Sequence, residues 1–365
     1  MQRWDAGRSA GLGYRFRMTT FALIGSGWRA QMFLKVAQEL ETVSCAAVVV
    51  RTPRRLNVPA FTSLDTCLRE VDVDFVLIAT PRQVTPAFIA EAVDRGLPVL
   101  AETPPAQDLN GLRALWSAVG DSDLVQVAEQ YPMMPAHAAR LSVVAAGIIG
   151  TPTQVQVSST QQYHAVALIR RLLGAGRGPV SVRATRFTAP LVHPLNRSGW
   201  TDDDQAHPTV TTIATVDFGA ERSGVYDFTE QQTRNQLRFR RLTVRGSAGE
   251  LHNDEVVRMT GPRTLVRTPL VRRQTGYDLD LIGYDTEHLS LGSEVLYRNP
   301  YPGRRWMDDE IAMATLLERT ADWVRGEGPA PYPLAEGAQD QRIALAIEES
   351  ADIDTTVTTS AEAWS

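Results

Sequence analysis

Apolar residues in the first part of the chain fall into short continuous runs separated by stretches of helical period. Residues 19–24 form a buried-strand run that leads into Gly25-Ser26-Gly27-Trp28-Arg29-Ala30. Phe33, Val36, Ala37 and Leu40 then recur on one helix face, and a second apolar run follows at 45–50. The alternation continues with strands expected at 74–80, 97–101 and 124–128. Helices are expected at 85–95, 108–119 and 135–146, the first and last closed by Gly96 and Gly147. Such a pattern predicts a parallel sheet covered by helices on both faces.

After Gly150 the rhythm changes. A strand at 153–159 and a helix at 163–173, stopped by Gly174, are followed by strands at 179–187, 210–218, 223–229 and 237–245. In the 210–218 run Val210, Thr212, Ala214, Val216 and Phe218 alternate with Thr211, Ile213, Thr215 and Asp217, the period of a half-buried strand. Gly246-Ser247-Ala248-Gly249 turns the chain, and helices are expected at 308–325 and 341–351. The expected fold is α/β: a Rossmann-like doubly wound domain over 18–150, then an α+β domain with a large, mostly antiparallel open sheet over 151–353. Residues 1–17 read as a disordered extension, and the Thr/Ser/Ala-rich 354–365 as a flexible tail.

At 365 residues the chain exceeds one ordinary core, in keeping with two domains. A net charge of −5 excludes a basic, non-specific nucleic-acid binder. No apolar run reaches membrane-spanning length, and residues 1–17 lack the apolar stretch of a secretory signal. A cytoplasmic location is therefore expected. Cys45 and Cys67 show neither zinc-site nor disulfide spacing and read as core thiols.

The turn at Gly25 to Ala30 has the G-x-G-x-x-G/A form, set between a strand and a helix. That setting lets backbone N–H groups approach a pyrophosphate at a helix start. At the end of the second strand, where an acid would bond ribose hydroxyls, stand Arg51-Thr52-Pro53-Arg54-Arg55. NADP(H) is thus favoured, with Arg51, Thr52 and Arg55 as phosphate ligands and NAD(H) as the alternative.

Five further segments bear on the chemistry: Ala79-Thr80-Pro81; Ala101-Glu102-Thr103-Pro104; Glu129-Gln130-Tyr131 followed by Pro135; His164 followed by Ile169-Arg170-Arg171-Leu172-Leu173-Gly174; and Glu348-Glu349-Ser350. In this order, from Thr19 to Asp352, the chain resembles the Gfo/Idh/MocA oxidoreductases. The resemblance implies a dinucleotide on the first domain, with Ala79, Thr80, Pro81, Glu102, Pro104 and Gln130 on the cofactor side. It also implies reversible hydride transfer at a ring carbon of a sugar, cyclitol or related polyol held by the second domain. In the family a lysine in Glu-Lys-Pro and a histidine in Asp-x-x-x-His handle the proton. Here Thr103 stands at the lysine position, Thr160 at the aspartate, and Thr85 where a histidine commonly follows Thr-Pro.

A threonine hydroxyl is no base near neutral pH. His164 is therefore the leading acid/base, with Tyr163 beside it, Thr103 as a hydrogen-bonding group, and Tyr131 and His137 in reserve. Two other readings remain open: a nucleotide-dependent lyase or glycosidase using transient oxidation, and a silent NAD(P)-sensing protein.

The aperiodic segment 191–207 has the ingredients of a polyol site, so Arg197, Trp200, Asp202 and His207 join Tyr131 as candidate substrate ligands. The acids Asp202 to Asp204 with His207 read as turn residues, and no metal site is expected. Asp227 is a further candidate for the cleft, with Glu230; Tyr226 and Phe228 share the opposite strand face. Arg238, Arg240, Arg241 and Arg245 read as an outer face or subunit contact. A half-apolar open sheet needs cover, so a homodimer or homotetramer through that sheet is expected.

Overall fold

The computed structural model describes residues 18–52, 57–276, 278, 280 and 283–365; the expected extension over 1–17 lies outside them. The first unit runs β1 (Thr19–Ile24), α1 (Trp28–Ala37), β2 (Val43–Val49), β3 (Ala60–Phe61), α2 (Leu64–Glu70), β4 (Phe75–Ile78), α3 (Thr85–Val93), β5 (Val99–Ala101), α4 (Leu109–Val119) and β6 (Val125–Val127). Among the described residues these strands make a six-stranded sheet in the order β3-β2-β1-β4-β5-β6, and each paired set is parallel. Strand order reverses between β1 and β4, which opens a crevice at their C-terminal ends. Period-two alternation feeds both faces: Phe21, Leu23, Phe75 and Leu77 enter one core, and Ala22, Ile24, Val76 and Ile78 the other.

Local chemistry sets the helix starts. The Ser63 hydroxyl accepts the Thr66 N–H at 3.1 Å, and the Asp108 carboxylate accepts the Gly111 N–H at 2.8 Å. At the far end of the helix that carries His164, Gly174 adopts the left-handed conformation (φ 61°) that stops it.

A 3₁₀ turn (Tyr131–Met133) and α5 (Pro135–Ala145) lead to β7 (Pro152–Ser158), α6 (Gln162–Leu173), β8 (Ser181–Val192), the small pair β9 (Leu195–Asn196) and β10 (Gly199–Trp200), β11 (Ala206–Asp217) and β12 (Ser223–Thr229). Then come β13 (Arg241–Gly246), β14 (Gly249–His252), β15 (Glu255–Gly261), β16 (Thr264–Thr275), β17 (Asp285–Leu291), β18 (Glu294–Arg298), α7 (Asp308–Val324), α8 (Leu334–Ile353) and β19 (Val357–Thr358). Among the described residues the second sheet has eleven strands, β18-β17-β16-β15-β14-β13-β7-β12-β11-β8-β19. Its one parallel pair there is β7 with β12. One face packs on α5, α6 and α8 through Val155, Val157, Ile169, Leu172, Ile343 and Ile347; the other face is open. No helix among the described residues is long and apolar enough to cross a membrane.

Three features depart from the sequence reading. Strands β14 to β18 extend the sheet well past the turn at 246–249, because charged residues such as Arg267, Arg272, Arg273 and Glu294 dilute their alternation. Helix α8 starts seven residues before 341, where the buried polar run Gln339-Asp340-Gln341-Arg342 breaks the apolar period. The expected flexible tail is instead fixed. Val357 and Thr358 pair with β8, and Glu362 meets Arg113 at 2.7 Å. Trp364 is buried, edge-on to Trp116, with its indole N–H donated to Gln339 at 3.0 Å. A single aromatic anchor outweighs the polar composition around it.

Helix α7 returns to the first unit: Ile311, Leu316 and Leu317 share a core with Phe21 and Phe33. Helix α8 is tied to α6 by the buried Arg170, which meets Asp340 at 2.6 Å and Glu336 at 2.8 Å. Burial pushes the Asp340 carboxyl up to about 6, with Arg170 and the Tyr332 hydroxyl opposing that rise. Truncating the tail anchor, Trp364→Ala, is expected to cost about 3–5 kcal/mol. The cost should appear as a lower urea midpoint with an unchanged slope; an unchanged midpoint would show that the tail contributes nothing.

Candidate active site

The crevice at the strand reversal is shaped by two glycines with different jobs. Gly25 has φ 129°, and a Cβ there would lie 2.3 Å from the Ala79 carbonyl oxygen, so only glycine fits between β1 and β4. A Cβ on Gly27 would meet nothing within 4 Å, so that position faces open space. Helix α1 starts just beyond, and no side chain caps it. Its first N–H donors are therefore left for another acceptor, and the helix end favours an anion. A cavity of about 970 Å³ adjoins this turn.

That cavity is lined by Gly25, Ser26, Gly27, Trp28, Arg29, Arg51, Ala79, Thr80, Pro81 and Glu102, which the sequence reading places on the cofactor side. Thr103, His164 and Arg197 line it too. A dinucleotide matches these residues: backbone donors and open space for a pyrophosphate, apolar strand ends, and Arg51 at the rim. Of the remaining candidates, Ala30 is wholly buried beneath the turn, and Thr52 is exposed outside the cavity. Arg55 lies outside the described residues.

Arg29 is the hub of the cleft wall. Its Nε lies 2.8 Å from Glu102 Oε1, and its Nη1 donates to Asp309 Oδ2 at 3.1 Å. Burial opposes the Arg29 charge, but Glu102 and Asp309 more than offset it and hold the guanidinium above its ordinary value. Burial raises the Glu102 carboxyl, with Arg29 pulling the other way. The other Glu102 oxygen accepts the Thr103 N–H at 2.7 Å, which fixes the turn at the cis Thr103–Pro104 bond. Gln130, a cofactor candidate, is buried and donates to Asp309 at 3.1 Å, so its part is to buttress this wall.

His164 stands in the first turn of α6 with its Nδ1 2.6 Å from Glu129 Oε2. Glu129 is fully buried, and its other oxygen accepts the Tyr131 N–H at 2.9 Å. The carboxylate takes the Nδ1 proton as a hydrogen bond and leaves Nε2 as the free basic nitrogen. Tyr131 stacks on the imidazole with ring centroids 4.2 Å apart. Burial pushes the Tyr131 phenol up, so it stays protonated. A second cavity, also about 970 Å³, meets the first here: Thr103, Gln161 and His164 line both. Pro104 lines the second, beside amides such as Gln107, Gln162, Gln231 and Gln341.

Several candidates fall elsewhere. Tyr163 lines the second cavity, but its hydroxyl is buried against α8, where a Cβ on Gly337 would approach it to 3.1 Å. His137 is pushed down to about 3 by burial and by Arg140, whose Nη1 lies 3.3 Å from its Nδ1; it is a neutral supporting group. Asp227 sits on the open sheet face, paired with Arg241 at 2.6 Å, because the strand alternation that puts Tyr226 and Phe228 beside the second cavity turns Asp227 away. Trp200 and Asp202 are exposed and line neither cavity, and His207 pairs with Asp203 at 2.7 Å. No metal-binding cluster occurs among the described residues. Of that loop only Arg197 reaches the cleft: it tops the β9–β10 pair and lies 5.4 Å over the Trp28 ring, which Arg29 also approaches at 5.2 Å.

Lys35 is the only lysine in the chain. It is an exposed side chain of α1, held to Glu310 at 2.5 Å, so no lysine replaces the missing one from elsewhere in the fold. Glu129 as a site residue is not evident from its local motif, since its partner is 35 residues away. Asp309 and Gln161 carried no local signal at all.

The profile of the Gfo/Idh/MocA group, described as an oxidoreductase family with an NAD-binding Rossmann fold, matches residues 19–130. No curated protein matches the chain. Among solved structures, an oxidoreductase from Agrobacterium radiobacter in complex with NAD+, L-tartaric acid and magnesium aligns with a TM-score of 0.69 at 17% identity, over 93% of this chain and 98% of that one. A myo-inositol dehydrogenase from Corynebacterium glutamicum aligns at 0.62 and 19%, over 94% and 99%. The WlbA dehydrogenase from Chromobacterium violaceum, in complex with NADH and UDP-GlcNAcA, aligns at 0.62 and 17%, over 95% and 97%. Residues 19–130 thus match the Gfo/Idh/MocA oxidoreductase family by sequence, and the two-domain fold, a Rossmann unit followed by an open second sheet, is that of the three solved oxidoreductases.

Proposed function

We propose that the protein transfers a hydride to or from a sugar, cyclitol or similar polyol, with His164 as acid/base and Glu129 as its positioning residue. One observation carries this reading: the glycine-turn cleft and the amide-lined cleft meet at His164, whose Nδ1 is tied to a buried carboxylate. A nicotinamide dinucleotide in the first cleft supplies the hydride acceptor or donor. In the oxidation direction the substrate hydroxyl gives its proton to His164 Nε2 as its carbon loses hydride, and Glu129 stabilises the imidazolium that forms. Thr103 can hydrogen-bond the substrate oxygen but does not take the proton.

The amides of the second cleft, together with charged groups such as Arg82, Arg186, Glu230 and Glu348, suit hydroxyl groups, and Tyr226 and Phe228 offer an apolar surface for a ring. The inositol dehydrogenase likeness is in keeping with this class. Arg51 at the first cleft favours NADP(H) over NAD(H). The open sheet face carries exposed Phe187, Ile213 and Val271, which supports a homodimer or homotetramer through that face.

Three outcomes are expected. Reduced-nicotinamide fluorescence should show NADPH binding tighter than NADH, with signal lost on adding a ketosugar or ketocyclitol. Binding without turnover would favour a sensing role, and conversion of a glycoside without net nicotinamide change would favour transient oxidation. His164→Asn should lower kcat by about 10²–10⁴-fold, the usual size of acid–base catalysis. Glu129→Gln should lower kcat with KM little changed. A full-rate His164→Asn enzyme would rule the histidine out. Light scattering should give at least a dimer, and Ile213→Glu should weaken it; a monomer at micromolar concentration would remove the interface.

A further inference from the structure

A third cavity, of about 710 Å³, lies among α5, the C-terminal end of α6, α7 and β18, and shares no lining residue with either cleft. Arg171 from α6, Arg298 from β18 and Arg319 from α7 line it, and no carboxylate does. Arg298 and Arg319 form no ion pair with any described carboxylate, and Arg171 is placed 5.1 Å over the Tyr332 ring. Three guanidinium groups from three elements, with no carboxylate among the lining residues, give the cavity a positive potential that favours an anion. Tyr297 is also on the lining, and its hydroxyl is buried with no hydrogen-bond partner among the described residues. Buried hydroxyls are seldom left so. Burial, then Asp308, raises this phenol to about 12 against Arg272 and Arg319, so at neutral pH it remains a proton donor. Met133, Leu141, Val144 and Leu172 supply apolar wall.

We infer that this cavity is a binding site for a small organic anion, its phosphate or carboxylate head held by Arg171, Arg298 and Arg319 and its apolar body against Leu141 and Leu172. The Tyr297 hydroxyl donates to the ligand. The site is independent of the cofactor cleft, although α6 and α7, which wall it, also carry His164 and Asp309.

Calorimetry on the full chain with 2-naphthyl phosphate tests the inference, with inorganic phosphate and 2-naphthol as head and body alone. The naphthyl phosphate should bind at least tenfold tighter than either fragment. Arg298→Ala/Arg319→Ala, at two exposed side chains, should weaken it at least tenfold while NADPH binding stays unchanged. Tyr297→Phe, which keeps the ring, should weaken it about threefold to tenfold, the range of one hydrogen bond. Native affinity in the double variant would overturn the site. So would loss of binding in Arg51→Ala, which would move the probe to the cofactor cleft. Absence of binding to the native chain would overturn it outright, and equal affinity for inorganic phosphate would overturn the apolar half.

Discussion

Arg29 reaches two carboxylates that lie far away along the chain, Glu102 at the end of β5 and Asp309 at the start of α7. Those contacts fix the glycine turn against the Glu-Thr-Pro turn and draw a helix from the far end of the chain into the first core. A mostly buried guanidinium is tolerable only because both partners answer it; removing either would leave charge uncompensated in a low-dielectric setting. Gln130 joins the same carboxylate, so the wall behind His164 is built from that cluster as well.

The absence of a second lysine constrains the chemistry from the other side. With Lys35 committed to the surface of α1, proton handling passes to groups that remain in the cleft, and Thr103 is not a base. In the proposed function Glu129 and His164 meet that need, with side chains already locked by burial, a backbone N–H and the Tyr131 ring. An orienting carboxylate behind an imidazole selects the tautomer and leaves one nitrogen free, a division of labour that acid–base catalysis requires.

Much of this was legible in the sequence. The βαβ rhythm, the glycine turn and the position of His164 follow from apolar period and helix punctuation, which are local. What escaped is long-range or built from exceptions. The last strands carry too many arginines to alternate cleanly, and α8 hides behind a buried polar run. The tail rests on a short strand pairing, an ion pair and one buried tryptophan. In the site, Glu129 and Asp309 matter through partners 35 and 280 residues away, distances over which spacing carries no information. Asp227 shows the converse: strand period alone puts it opposite Tyr226 and Phe228, but which face meets the cleft depends on where the helices pack.

The most direct measurement is a crystal structure of the protein soaked with NADPH. The account requires the pyrophosphate over Gly27 and the start of α1, and the nicotinamide ring at the junction of the two clefts beside Thr103 and His164, with His164 still held by Glu129. A dinucleotide whose ring lies away from His164, or a saturated crystal with an empty cleft, would contradict it.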